Sequence, residues 1–289
     1  MGKMTDEFKD KIIEAVEMRI EVKDIEIKDV KKNNGVTYTG LYIATGNDVA
    51  PIIPLDSFFN RYQDNENIND LADEIVDTYQ RLADPVSVKG FKEGITDYET
   101  AKELLCVTLV NRELNKDAEY LKKEFLDLYI VPKLVVDDFS SGFGTVKIRK
   151  SWLDAWGVTE EQLYADAIKN SEELLPATVK SMKELFAERY STDISDNGMF
   201  IITNSKMLNG ASAVLYDGVL KELSARMDSD LIIIPSSIHE CLAVSADEFS
   251  PLCVTQMVKE VNESEVDDQE ILSDHAYLYK RSTGVIQCA

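Results

Sequence analysis

The chain has only two histidines in 289 residues, and each stands among groups that could work with it. His239 lies in Pro235-Ser236-Ser237-Ile238-His239-Glu240, beside two hydroxyls and a carboxylate. His275 follows Asp274 in Leu272-Ser273-Asp274-His275. Imidazole titrates near neutral pH, so it can take and return a proton, and in its neutral form it can bind a metal. His239-Glu240 begins like the zinc-protease motif H-E-x-x-H, which needs a helix with two imidazoles one turn apart. Position 243 is Ala243 and β-forming residues flank the pair, so that motif is set aside. Ser236, Ser237, His239 and Glu240 do include a nucleophile, a base and an orienting acid. Triads, however, are assembled by the fold from distant segments. On a strand, His239 and Glu240 would also project from opposite faces. What survives is conditional. If His239, Glu240, His275 and Asp274 converged in a pocket they could serve a hydrolase, and two histidines with one carboxylate could hold a metal. The plainer expectation makes His239 a turn residue bonded to backbone. Ser236, Ser237 and Asn262 are the candidate binding residues.

Other motifs narrow the field. Ser140-Ser141-Gly142-Phe143-Gly144 lacks the Lys-Ser/Thr of a P-loop and is not a dinucleotide fingerprint. Gly-x-Ser-x-Gly does not occur, and Cys106, Cys241, Cys253 and Cys288 form no C-x-x-C pair. No cofactor and no metal is therefore expected. Cys106, Cys241 and Cys253 sit in apolar surroundings, where cysteine acts as a small hydrophobe. Cys288 reads as an exposed thiol. Reduced thiols and the absence of an apolar leader point to a cytoplasmic setting. No apolar run approaches the length of a membrane span.

Charge is the strongest compositional signal. The net charge is −22, and residues 228–274 contribute −11 of it, with twelve acids against the single Lys259. Such a chain is not expected to bind nucleic acid directly, because phosphates need clustered Lys and Arg. It fits simple solubility, a protein partner with a basic surface, or mimicry of nucleic acid that blocks a basic groove, while the acids lack the EF-hand spacing of a divalent-cation site. The oligomeric state is left open.

These groups must be held by hairpins and helices. Thr5 caps a helix over about 6–20, where Phe8, Ile12, Ile13, Val16 and Ile20 recur at helical spacing. Residues 25–43 form a hairpin about a turn at 31–35, and the prolines of 49–55 allow only an edge strand. Capping boxes at Thr96-Asp97-Tyr98-Glu99 and Thr159-Glu160-Glu161-Gln162 open two more helices. Residues 125–136 read as two strand pieces split by Pro132, and 176–188 as mostly helical. A helix is predicted over 211–227 after Asn209-Gly210. The stretch 231–244 reads as a hairpin, followed by a helix that begins at Ser250-Pro251. That helix should turn Val254, Met257, Val258 and Val261 inward, and a terminal hairpin closes the chain. The class is α+β, with antiparallel or mixed sheets built from hairpins and packed helices. A weak boundary near 193–198 divides an N-terminal region, 1–192, from a C-terminal region, 193–289, unless the two form one continuous domain.

Five stretches carry a resemblance: Val131-Pro132 with its apolar flanks, Asn209-Gly210-Ala211, the run from Ile234 to Glu240, the run from Lys259 to Asn262, and the run from Leu272 through Tyr279. In these the chain resembles a family of bacterial proteins found chiefly in gut clostridia and known as a domain of unknown function. The resemblance is densest over 199–280. It implies a bacterial cytoplasmic accessory protein and assigns no activity. The expected role is a non-catalytic protein-binding or regulatory factor with an acidic surface.

Overall fold

The computed structural model describes residues 4–45, 51–82, 97–139, 142–190 and 198–289. It divides into two compact units, Met1–Glu93 and Gly94–Ala289. The expected boundary at 192/193 lies outside the described residues. The strands that flank it, β8 (Ala177–Ser181) and β9 (Phe200–Asn204), pair with each other in one sheet.

In the first unit, α1 (Asp6–Glu17) begins where Thr5 Oγ1 accepts the Phe8 N–H at 3.3 Å. Its buried stripe of Phe8, Ile12, Ala15 and Val16 joins one core with Leu71, Ala72, Ile75 and Val76 of α3 (Ile68–Leu82). Helix α2 (Asp56–Gln63) adds Phe58 and Phe59. Three antiparallel strands, β1 (Asp24–Lys31), β2 (Thr37–Ala44) and β3 (Ile52–Pro54), lie in that order, so the proline-bearing strand takes the edge.

The second unit carries every candidate site residue. It opens with α4 (Tyr98–Lys102), which Asp97 caps by accepting the Thr100 N–H; the cap sits one residue later than the predicted box, whose Thr96 lies outside the described residues. A four-stranded sheet follows, made of β4 (Leu105–Asn111), β5 (Lys123–Phe125), β6 (Leu128–Phe139) and β7 (Gly142–Lys147), with β6 bonded to the other three. Helices α5 (Lys150–Trp156) and α6 (Glu160–Leu174) come next, and Thr159 caps α6 as expected. Strand β8 leads into α7 (Met182–Tyr190), then β9. A 3-10 turn (Gly210–Leu215), α8 (Val219–Met227), β10 (Leu231–Ser237), β11 (Glu240–Ser245), α9 (Pro251–Ser264), β12 (Tyr277–Lys280) and β13 (Val285–Cys288) complete the unit. The larger sheet has the order β13-β12-β10-β11-β9-β8, so the predicted 231–244 hairpin is central.

The α+β class and the antiparallel sheets are those expected, and the local departures have physical reasons. Pro132 does not split its strand. It faces the gap between the β5 and β7 pairings, where its carbonyl accepts the Ile148 N–H, so its missing N–H costs no ladder bond. Residues 177–181 form a strand instead of helix because Val179 pairs with Ile202 and packs on the main core. The predicted 211–227 helix breaks at Gly218, whose φ of 79° is left-handed, leaving a 3-10 turn and a short helix.

Candidate functional site

The hairpin tip at His239 is built from backbone contacts. The Ser237 hydroxyl accepts the His239 N–H at 3.0 Å and so fixes the turn between β10 and β11. The His239 carbonyl accepts from Thr203 Oγ1 at 2.8 Å, and its ring Nδ1 accepts the Asn209 N–H at 3.1 Å. That bond puts the ring proton on Nε2, which faces Glu270 Oε1 at 3.5 Å. Beside the ring, Gly210 leaves no room for a side chain. An added Cβ would stand 2.2 Å from Thr203 Oγ1 and 2.7 Å from the His239 carbonyl. The Ala211 N–H reaches the Ile238 carbonyl, and the Ile238 N–H reaches Glu270. Glu240 starts β11 opposite Ser237.

His275 belongs to a different cluster, centred on Asp127. Ser273 Oγ and Tyr277 Oη each donate to that carboxylate at 2.6 Å, and His275 Nδ1 faces it at 3.0 Å. Burial, aided by the charge of Asp127, pushes the Tyr277 hydroxyl far above its ordinary pKa, so it remains a donor. Asp127 reaches this position from the β5–β6 turn, where Leu126 takes a left-handed φ of 56° and packs on the core. No sequence pattern marks Asp127. Serine, histidine and aspartate do meet here, but the acid stands between the other two. Ser273 is fully buried, and its bonds to His275 go to that residue's backbone.

Among the described residues, no side-chain hydrogen bond or ion pair joins His239, Glu240, Asp274 and His275 to one another. His239 pairs with Glu270 and His275 with Asp127, and no residue belongs to both sets. Asp274 is exposed and accepts from Asn262 Nδ2 at 2.9 Å; the same amide donates to the Ser273 carbonyl. Among the described residues, no group of three or more His, Cys, Asp or Glu side chains is arranged to hold a metal.

Ser236 and Asn262 do come together. Both line a groove of about 120 Å³ between α9 and the sheet. Met199, Ile234 and Leu242 form its sheet side, and Met257 and Val261 its helix side. This corrects the predicted inner face of α9. Val254 and Val258 are buried, whereas Met257 and Val261 are exposed, as is Cys253. Asn262 takes the third buried place on the helix, because its amide ties α9 to 273–274. The apolar stripe is therefore wider than the core beneath it needs.

The stretches between 209 and 274 that stood out in the sequence are thus tied by hydrogen bonds in two sets. Residues 209–211 bond to 238–239, residue 238 to 270, and Asn262 to 273–274. No helix among the described residues is long and apolar enough to cross a membrane. No curated protein and no solved structure matches the chain. The profile of a family of unknown function, DUF5688, matches residues 5–281, and the chain belongs to that family.

Proposed function

We propose that this DUF5688 member is a non-catalytic binding factor that engages a basic protein partner through the acidic part of its second unit. The proposed setting is a bacterial cytoplasm, that of a gut clostridium, with the protein in an accessory role. The carrying observation is where the charge lies. Of the twelve acids in 228–274, Asp247, Glu248, Glu260, Glu263, Glu265, Asp267 and Asp268 are exposed on α9 and its flanks, while Lys259 is the single base of the stretch. Such a field speeds encounter with a cationic surface and repels nucleic acid and anionic lipid. The partners of the two histidines favour the same reading. The His239 ring is engaged by backbone, and the buried hydroxyl of Ser273 is held by Asp127.

The test uses the full chain as bait in a bacterial lysate, beside a variant in which those seven exposed acids become Asn or Gln. At about 50 mM salt the native chain should enrich basic proteins that the variant does not, and the difference should shrink at about 300 mM, where screening is strong. Equal recovery by both baits would overturn the reading.

A further inference from the structure

We propose that the groove between α9 and the β10–β11 hairpin is a docking site for a cationic amphipathic helix, which seats one apolar anchor side chain beside Met257 and Leu242. This rests on the reading of the acidic unit as a partner-binding surface, and it names the place and chemistry of the contact.

The groove exists because one face of the large sheet is only partly covered. Helix α9 seals Ile232 and Val244 with Val254 and Val258. It stops short of Ile234, Leu242 and Met199, which remain half-buried or line the opening. On the helix side, Met257 is 57% exposed and Val261 43%, four residues apart and so on one ridge. Methionine is unbranched and polarizable, which suits a wall that must fit a guest side chain.

Size and charge select the occupant. A volume of about 120 Å³ is well below the roughly 300–1,000 Å³ typical of small-molecule and cofactor sites. It matches the anchor pocket of a protein interface, where a few buried apolar side chains carry most of the affinity. Acids stand at both ends. Glu248 lies 3.7 Å from where a Cβ of Gly198 would be, next to Met199, and Asp274 is bonded to Asn262. Glu260, three residues after Met257, flanks the same ridge, and Glu265 follows directly on the end of α9. An apolar slot with an acidic rim is complementary to a helix with apolar anchors and flanking Lys or Arg. A second copy of this chain, at −22, brings the wrong charge, as would an anionic bilayer or nucleic acid.

The experiment titrates the full chain with three synthetic helical peptides at about 150 mM salt. One carries Lys with a Leu face, one has the same lysines with Ser in place of Leu, and one keeps the Leu face with Glu in place of Lys. The Lys/Leu peptide should bind at least about tenfold more tightly than either control. The double variant Met257→Ser/Val261→Ser should lose that advantage. Val285→Ser, an exposed apolar position on β13, should retain it. All these positions are exposed, so circular dichroism should confirm unchanged folding. Equal binding of the Lys/Leu and Lys/Ser peptides, or a double variant that binds like the native chain, would overturn the groove while leaving the acidic-surface reading in place. Tight binding of the Glu/Leu peptide would overturn the cationic occupant. A dimer in sedimentation that Met257→Ser/Val261→Ser dissolves would assign the groove to a second copy and overturn the proposal. If no peptide binds, the proposal fails, and the lysate comparison still decides the broader reading.

Discussion

The two faces of the six-stranded sheet are made by the same strands yet finished differently. On one face Leu231, Ile233, Cys241, Ala243, Tyr277 and Tyr279 enter the main core, which also takes in β4, β6, α6 and the 3-10 turn. On the other, Ile232 and Val244 meet a single helix, and Ile234 and Leu242 lie at its margin. Strand alternation supplies both faces with apolar residues in nearly equal measure. The difference comes from what the rest of the chain lays over them, and that decides which face stabilises the fold and which remains open for binding.

The sharpest way to break this contrast is a pair of truncations on neighbouring residues of the hairpin. Ile233→Ala, fully buried on the closed face, should cost about 4 kcal/mol, whereas Leu242→Ala, at the groove, should cost about 1 kcal/mol. Denaturant titration of both reads the difference, and equal costs would mean the faces are equally packed. Next in size is Asp127→Ala, which removes the acceptor of the buried Ser273 and Tyr277 hydroxyls; a loss of about 3 kcal/mol is expected. Tyr277→Phe in the same background should then cost little, since the hydroxyl has already lost its partner. Gly210→Ala should cost about 2 kcal/mol by pushing the 3-10 turn off the hairpin tip.

The smallest effect concerns pH. Asp230 accepts from Lys280 Nζ and from the Arg281 N–H, and these bonds hold its carboxyl below the ordinary pKa. A carboxyl depressed in the fold stabilises it above the unfolded pKa, and that advantage fades as pH falls through the folded one. The melting temperatures of the native chain and Asp230→Asn should therefore differ slightly near neutral pH and converge as pH falls through the depressed pKa of the folded carboxyl. A gap that stays constant on acidification would show that the ion pair contributes nothing.

Elements set by local chemistry could be read from the sequence. The caps at Thr5 and Thr159, the β1–β2 hairpin and the central 231–244 hairpin depend on neighbours a few residues apart. What could not be read depends on distant partners. Pro132 is harmless only because it falls between two pairing strands, and 177–181 is a strand only because β9 lies beside it. For the site, sequence reasoning selected Ser236 and Asn262, which share the groove, and the two histidines, which take separate acids. Met257 and Val261 were assigned to the core because helical spacing reports an apolar stripe without its width. Asp127 carried no signal at all, since its partners lie about half the chain away.

That separation has a consequence for synthesis. Asp127 and Tyr277 are 150 residues apart. At translation speeds of about 5–20 residues per second, the β5–β6 turn emerges roughly 8–30 s before the hydroxyl that will reach it. Strands β4 to β7 can pair as they leave the ribosome, but the central strand β10 waits for β12, nearly the last strand made. During that interval the nascent chain carries its growing negative charge as its main safeguard against association with its neighbours.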